Sequence, residues 1–149
     1  MINRSNPNQT FNDASEPNTS AHGSQTGAAN GQTHETLKLA LDIVDAASER
    51  KAADISVLDV SDVSYLADYF VVMTGFSNVQ VRAIARSIQQ TTEENWDRSP
   101  HRVEGMTDGN WILLDYGDVI VHVFMPQERE YYGLEAFWGH ARRVDRAAS

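Results

Sequence analysis

The stretch Asn110–Met125 constrains the fold more than any other part of the sequence, because it has the pattern of a β-hairpin. Two runs of alternating apolar residues, NWILLD and DVIVHVFM, flank the dipeptide Tyr116-Gly117. A glycine in a two-residue connection between such runs is a strong hairpin signal. The sequence therefore predicts two antiparallel strands joined by a tight turn at this dipeptide.

The predicted hairpin has two faces of different character, because side chains alternate across a sheet. The turn predicts three cross-strand pairs, which are Asp115 with Asp118, Leu113 with Ile120, and Trp111 with His122. One face is purely apolar and is predicted to be core: Ile112, Leu114, Val119, Val121 and Val123. The opposite face combines an indole, an imidazole and two carboxylates with two aliphatic side chains: Trp111, Leu113, Asp115, Asp118, Ile120 and His122.

The mixed face is typical of a partly hydrated binding surface with an apolar centre and an acidic edge. Aromatic anchors surrounded by polar groups are common in binding hot spots. Asp115 facing Asp118 costs roughly 0.2–1 kcal/mol, which a basic partner would relieve. A second interpretation stays open, in which both carboxylates bond to turn amides, His122 is a half-buried histidine with its hydrogen bonds made, and Trp111 packs under a helix.

The rest of the chain predicts an α/β fold. The order α-β-β-α-β-β-β-α predicts a single domain with a mixed sheet flanked by helices. Apolar periodicity and breakers predict helices over His34–Lys51, Ser77–Trp96 and Gln127–Val144, and strands over Ile55–Val60, Asp68–Thr74 and near Arg102–Met106 in addition to the hairpin.

Three details of these segments carry further predictions. The strand Asp68–Thr74 is nearly continuous in apolar residues and is therefore predicted to be central. Ser77 and Gln80 have the spacing of a capping box. Five side chains of the last helix could contact a partner, but their spacing equally suits packing on the sheet. Core packing is therefore the default for most of them: Tyr131, Tyr132, Leu134, Glu135 and Trp138.

The segment Met1–Thr33 differs in composition from the rest of the chain. Its large apolar residues are Met1, Ile2 and Phe11 among many Asn, Ser, Thr, Gln, Gly and Ala. Such a segment buries too little apolar surface to offset the loss of chain entropy. We therefore predict a disordered tail over residues 1–33 and a folded domain over residues 34–149.

Charge and cysteine content limit the partners and the compartment. The net charge is −9, and the part after Thr33 has 11 Lys and Arg against 19 Asp and Glu. This balance favours a basic protein partner over bare RNA, so RNA contact is expected to be secondary at most. The absence of cysteine excludes disulfides and thiolate metal sites. Without an apolar signal segment, an Arg-rich transit peptide or a membrane span, a cytoplasmic location is expected.

Enzymatic alternatives have weaker support. Asp115, Asp118 and His122 are residue types that ligate a divalent metal, but three candidates without a further ligand make a weak signal. The turn Gly75-Phe76-Ser77 is similar to the phosphate-binding loop of nucleotidyltransferases, yet no acid follows until Glu93. GxSxG, P-loop and HExxH motifs are absent. We therefore expect no catalytic residue, metal or cofactor.

The domain resembles the Iojap, or ribosomal silencing factor, family. The resemblance is carried in order by DISVLDVSDVSYLADYFVVMTGFSNVQVRAIA, RVEG, NWILLDYGDVIVHVF and EREYYGLEAFW. It covers about Leu37 to Trp138, and its most specific part is the hairpin with Asp115, Asp118 and His122. The tail lies outside it.

This resemblance implies a nucleotidyltransferase-like fold without transferase activity. It also implies binding to large-subunit ribosomal protein fourteen, where the small subunit would dock, so that subunit joining is blocked and translation is repressed. A homodimer is a further expectation of the resemblance. We predict that the docking surface comprises seven residues: Trp111, Leu113, Asp115, Tyr116, Asp118, Ile120 and His122. The alternative is a metal-dependent nucleotidyltransferase-like enzyme that uses Asp115, Asp118 and His122.

Overall fold

The computed structural model describes residues 21–65, 67–133 and 141–144. Its helices are α1 Ala21–Glu49, α2 Asn78–Trp96 and α3 Pro126–Tyr132. Its strands are β1 Ala53–Asp59, β2 Tyr69–Thr74, β3 Arg102–Glu104, β4 Trp111–Asp115, β5 Val119–Phe124 and β6 Arg142–Arg143. The predicted α/β class with a mixed sheet is confirmed, and the predicted order holds through α3, after which β6 follows.

The sheet has the strand order β3-β4-β5-β2-β1-β6 within the described residues. Strands β2 and β5 are parallel, with Tyr69 opposite Val119 and Thr74 opposite Phe124. Each of the other neighbouring pairs is antiparallel. All six residues of β2 are buried, which confirms that this strand is central. The parallel pair therefore joins an N-terminal hairpin to a C-terminal three-stranded meander.

The larger part of the core lies between one face of the sheet and helices α1 and α2. Both helices bury apolar stripes, which include Ala40, Val44 and Ala47 in α1 and Ile84 and Ile88 in α2. A smaller cluster lies on the other face of the sheet: Leu58, Val60, Ala67, Phe70, Val72 and Phe124. No described helix is both long enough and apolar enough to cross a bilayer.

Capping residues determine the ends of α2. The hydroxyl of Ser77 accepts a hydrogen bond from the backbone N–H of Gln80 at 3.0 Å. The side-chain carbonyl of Gln80 in turn accepts from the backbone N–H of Phe76 at 2.7 Å. Asp97 ends the helix in the left-handed conformation, and its N–H donates to Glu93. The predicted start and end of this helix are confirmed.

The ends of the other two helices correct the sequence prediction. Helix α1 begins at Ala21, before the predicted start at His34, because apolar periodicity does not reveal a polar helix end. The division into a tail over 1–33 and a domain over 34–149 stays a prediction. Helix α3 ends at Tyr132, not Val144, because Gly133 adopts a left-handed conformation with φ of 54°. Tyr131 is 81% exposed and Tyr132 51%, so core packing is wrong for this pair.

Among the remaining positions of that predicted helix, the structure describes residues 141–144. Arg142 and Arg143 form β6, which pairs with β1, and Arg142 donates to the carboxylate of Asp59 at 2.7 Å. Leu134, Glu135 and Trp138 lie outside the described residues.

Candidate partner-binding face of the hairpin

The hairpin forms, but its turn lies one residue later than predicted. The backbone N–H of Tyr116 donates to the carbonyl of Val119 at 2.9 Å, so the two-residue loop is Gly117-Asp118 and not Tyr116-Gly117. Gly117 has a φ of 90° at the first loop position, which a residue with a side chain rarely adopts. The predicted cross-strand pairs are therefore wrong.

The observed register pairs each residue of β4 with a residue of β5 that lies two positions later than predicted. Trp111 faces Phe124, Leu113 faces His122, and Asp115 faces Ile120. Because side chains alternate with a period of two, a shift of two positions leaves every strand residue on its predicted face. The predicted core face is confirmed, since its five side chains are fully buried: Ile112, Leu114, Val119, Val121 and Val123.

Tyr116 belongs to the core and not to a docking surface. It pairs with Val119 and therefore points to the helix-covered side, where it is 1% exposed. Its hydroxyl lies 2.9 Å from the hydroxyl of Thr92 in α2. Burial raises the pKa of Tyr116. The prediction that Tyr116 contacts a partner at the turn is wrong.

His122 is also buried, at 5% exposure, on the opposite side of the sheet. Its Nδ1 accepts a hydrogen bond from the indole N–H of Trp111 at 3.1 Å. Burial lowers the pKa of His122 to about 4, against the smaller opposing effect of the Asp115 charge. His122 is therefore a neutral group behind the surface, which corrects the prediction of a hydrated imidazole.

Trp111 lies at the centre of an aromatic cluster and is half-buried. Its ring stacks on Phe124 with centroids 4.9 Å apart and contacts Tyr132 with centroids 4.6 Å apart. Tyr131 meets Tyr132 edge-on. Sequence reasoning missed Tyr132 as a surface residue because helical spacing continues past it, whereas the left-handed backbone of Gly133 ends the helix there.

Leu113 and Ile120 complete the exposed part of this side of the hairpin, and both are half-buried. We call the combined surface of Trp111, Leu113, Ile120 and Tyr132 the docking face. Three apolar side chains from the predicted set thus remain in one patch, and one exposed aromatic residue from α3 extends it.

The two aspartates do not face each other. Asp115 accepts a hydrogen bond from the backbone N–H of Gly117 at 2.8 Å, and its other oxygen lies 3.7 Å from the guanidinium of Arg102. For Asp115 the second interpretation, bonding to a turn amide, is therefore confirmed. Asp115 remains at the edge of the docking face as a half-buried acid.

Asp118 leaves the strand and forms an ion pair that the sequence did not indicate. Arg98 donates to its two carboxylate oxygens at 3.1 and 2.8 Å and also to the carbonyl of Tyr116 at 2.8 Å. Thr36 donates to the same carboxylate at 3.3 Å. Burial favours the neutral form of Asp118, but the hydrogen bonds and charge of Arg98 outweigh it and lower its pKa. Asp118 therefore ties the turn to α1 and the end of α2.

These contacts do not support the metal site considered from the sequence. Asp118 is bound by Arg98, Asp115 by its own turn, and Nδ1 of His122 by Trp111. Across residues 21–65, 67–133 and 141–144, no three His, Asp or Glu side chains are grouped to hold an ion.

Residues 33–149 match the protein family described as "Ribosomal silencing factor during starvation". The chain belongs to this family. A ribosomal silencing factor RsfS of Bacillus subtilis is 44% identical over 100 residues, which cover 67% of this chain and 84% of that protein. A chloroplastic protein Iojap of Zea mays is 41% identical over 112 residues, which cover 74% of this chain and 48% of that protein.

Solved structures agree with the family assignment. The crystal structure of a Chromobacterium violaceum protein that is 42% identical matches with a TM-score of 0.65, covering 71% of this chain and 85% of that one. The resemblance noted from the sequence is therefore confirmed, and the chain is placed among ribosome-related regulators of translation.

Proposed function

We propose that this silencing factor binds the large ribosomal subunit through a basic ribosomal protein, large-subunit protein fourteen, and thereby prevents the small subunit from joining. The block is steric: a domain held on the joining surface excludes the small subunit by its volume, and translation is repressed. No catalytic step is needed, and the names of the relatives describe regulators of ribosomes.

The observation that carries this proposal is the docking face, where Trp111 is held half-exposed in an apolar patch. Leu113, Ile120 and Tyr132 surround the indole with further apolar surface. A packed aromatic side chain at the centre of a patch is the usual form of a binding hot spot. The patch therefore has the composition that a protein partner would bury.

Charge favours a basic partner for this surface. The whole chain carries a net charge of −9, and Asp115 lies at the edge of the docking face, where Arg102 offsets part of its charge at 3.7 Å. Complementary charge accelerates association and orients the two proteins. Asp118 contributes less than the sequence suggested, because Arg98 already neutralises it.

The name of one relative is relevant to the cellular compartment in which this chain acts. The Zea mays protein is named as chloroplastic, so the family is not limited to one compartment. The cytoplasmic location of this chain stays a proposal from its sequence. Self-association likewise stays a proposal, which light scattering of the purified protein would test by its mass.

The decisive variant is Leu113→Asp, which places a charge in the docking face. Trp111→Ala is less suitable because it also removes packing against Phe124 and Tyr132. A hot-spot loss of about 2 kcal/mol, or roughly 30-fold in affinity, is expected for Leu113→Asp. Val79→Asp is the matched control, since Val79 is an exposed aliphatic residue on α2 outside the docking face.

Two measurements test the proposal. Co-sedimentation with purified large subunits should decrease for Leu113→Asp and not for Val79→Asp. Light scattering during subunit mixing should show that only the first variant loses the ability to prevent joining. Equal binding and equal inhibition by both variants, with circular dichroism showing intact folds, would exclude this face as the docking site.

A further inference from the structure

The position of His122 in β5 is unusual for an ionisable side chain. Its neighbours along the strand are Val121 and Val123, and the residue paired with it in β2 is Val72. The imidazole meets the ring of Phe70 edge-on at 5.3 Å and stacks parallel to Phe124 at 6.0 Å. An apolar side chain would suit these surroundings, so the histidine requires a separate reason.

The hydrogen bond with Trp111 determines the tautomer of His122. Because Nδ1 accepts from the indole N–H, the proton of the neutral ring is on Nε2. Nε2 is buried and has no hydrogen-bond partner in the described part of the chain. A buried donor without a partner reduces stability. The histidine therefore weakens the core at Nε2 and supplies one acceptor, at Nδ1, to the indole.

The other contacts of Trp111 constrain the indole differently. Phe124 and Tyr132 contact its faces, with interplanar angles of 27° and 44°. Such contacts hold the plane of the ring, but a half-turn about the Cβ–Cγ bond keeps that plane and exchanges the two edges of the indole. The bond to Nδ1 selects one direction of the indole N–H and hence one edge of the ring for the exposed surface.

We propose that His122 is a positioning residue, which fixes the orientation of Trp111 so that the docking face is preformed before the partner arrives. The role in binding rests on the proposed function, whereas the role in orienting the indole does not. Ordering a side chain in advance removes that cost from the binding step. His122 thus acts on the partner through Trp111 and without contact of its own.

The test compares two replacements of His122 in the full chain. His122→Leu removes the acceptor, whereas His122→Asn places a side-chain oxygen on the same carbon that bears Nδ1. The first readout is the indole N–H signal of Trp111 in ¹⁵N-labelled protein, assigned by its loss in Trp111→Phe. We expect His122→Leu to move this signal upfield and accelerate its exchange with solvent, and His122→Asn to restore it in part.

The second readout is affinity for purified large subunits. His122→Leu should weaken binding about threefold to tenfold, the size expected when one side chain must be ordered on association. The same substitution in a Trp111→Phe background should have no further effect, because phenylalanine has no N–H to orient. A merely structural loss would weaken binding equally in both backgrounds.

Two results would overturn the proposal: an unchanged indole signal in His122→Leu, or an equal loss of affinity in the Trp111→Phe background. Native-like affinity of His122→Asn together with a restored signal would support it. Failure of the docking function would show separately, as undiminished binding by Leu113→Asp in a variant whose Trp111 indole N–H signal is unchanged.

Discussion

Alternate residues of the β4–β5 hairpin form its two faces, and the two faces differ in burial and composition. The face toward α1 and α2 is apolar throughout and fully buried. The other face contains a half-buried indole, two half-buried aliphatic side chains and one buried imidazole. Alternation along one short hairpin therefore supplies a core and a candidate docking surface without an additional element.

This difference indicates that stability and recognition can be altered separately. A substitution on the helix-facing side changes packing and affects the partner only through unfolding. A substitution on the docking face exchanges a solvent-contacting side chain and affects stability less. The boundary is least sharp at His122, which is buried like a core residue but bonds to the docking face.

The largest contrast is expected between adjacent leucines. Leu114→Ala should lower the free energy of unfolding by about 2–5 kcal/mol, because Leu114 is fully buried. Leu113→Ala should lower it by about 1 kcal/mol, because Leu113 already contacts solvent. Urea unfolding of both variants measures the difference. Similar losses would mean that the docking face is packed as tightly as the core.

The next largest effect is the dependence of stability on pH through His122. Its pKa is about 4 in the folded chain against an ordinary value of 6.5, so the unfolded chain binds more protons between these values. Stability should fall by about 3 kcal/mol as the pH is lowered from 6.5 to 4. Urea unfolding at several pH values should show a flatter profile for His122→Leu. An unchanged profile would assign the loss to other groups.

A smaller effect is expected from the turn aspartates. Asp118→Asn should cost about 1–2 kcal/mol at pH 7, because Arg98 loses a charged partner. The difference should vanish as the pH falls through the lowered pKa of Asp118, where the native carboxylate is also neutral. Asp115→Asn is the control, since its amide oxygen can still accept from Gly117. Equal losses at pH 7 would contradict a special role for the Arg98 pair.

The smallest effect is expected from Tyr116→Phe. Loss of the hydroxyl contact with Thr92 should cost about 1 kcal/mol, because one buried hydrogen bond is removed. Affinity for large subunits should not change, since Tyr116 lies on the helix-facing side. Thermal unfolding and co-sedimentation measure the two quantities. Weaker binding at unchanged stability would return Tyr116 to the docking surface.

The fold and the two faces of the hairpin were predictable because they depend on the spacing of apolar residues and on their alternation along a strand. Alternation assigns a strand residue to a face even when the turn is misplaced by one position, as happened here. The position of the turn was not predictable from the dipeptide alone, because Gly117 can stand first or second in a two-residue loop. That single choice moved Tyr116 into the core and Asp118 out of the strand.

Contacts between distant segments account for the other errors. Arg98 lies in an irregular segment after α2, and no local pattern indicates that it reaches across to Asp118. The depth of His122 depends on Phe70, which is far away in the sequence. Tyr132 was misplaced because helical spacing continues past Gly133, where the backbone turns.

The parallel ladder between β2 and β5 has a consequence for synthesis of the chain. Strand β2 is buried on both sides, yet its parallel neighbour is encoded only after α2, β3 and β4. During translation, Tyr69–Thr74 therefore emerges as an apolar strand with one open edge, which is the form most prone to pair with other chains. This edge of β2 gains its partner only once Val119–Phe124 has been made, so the first half of the chain cannot complete the sheet alone.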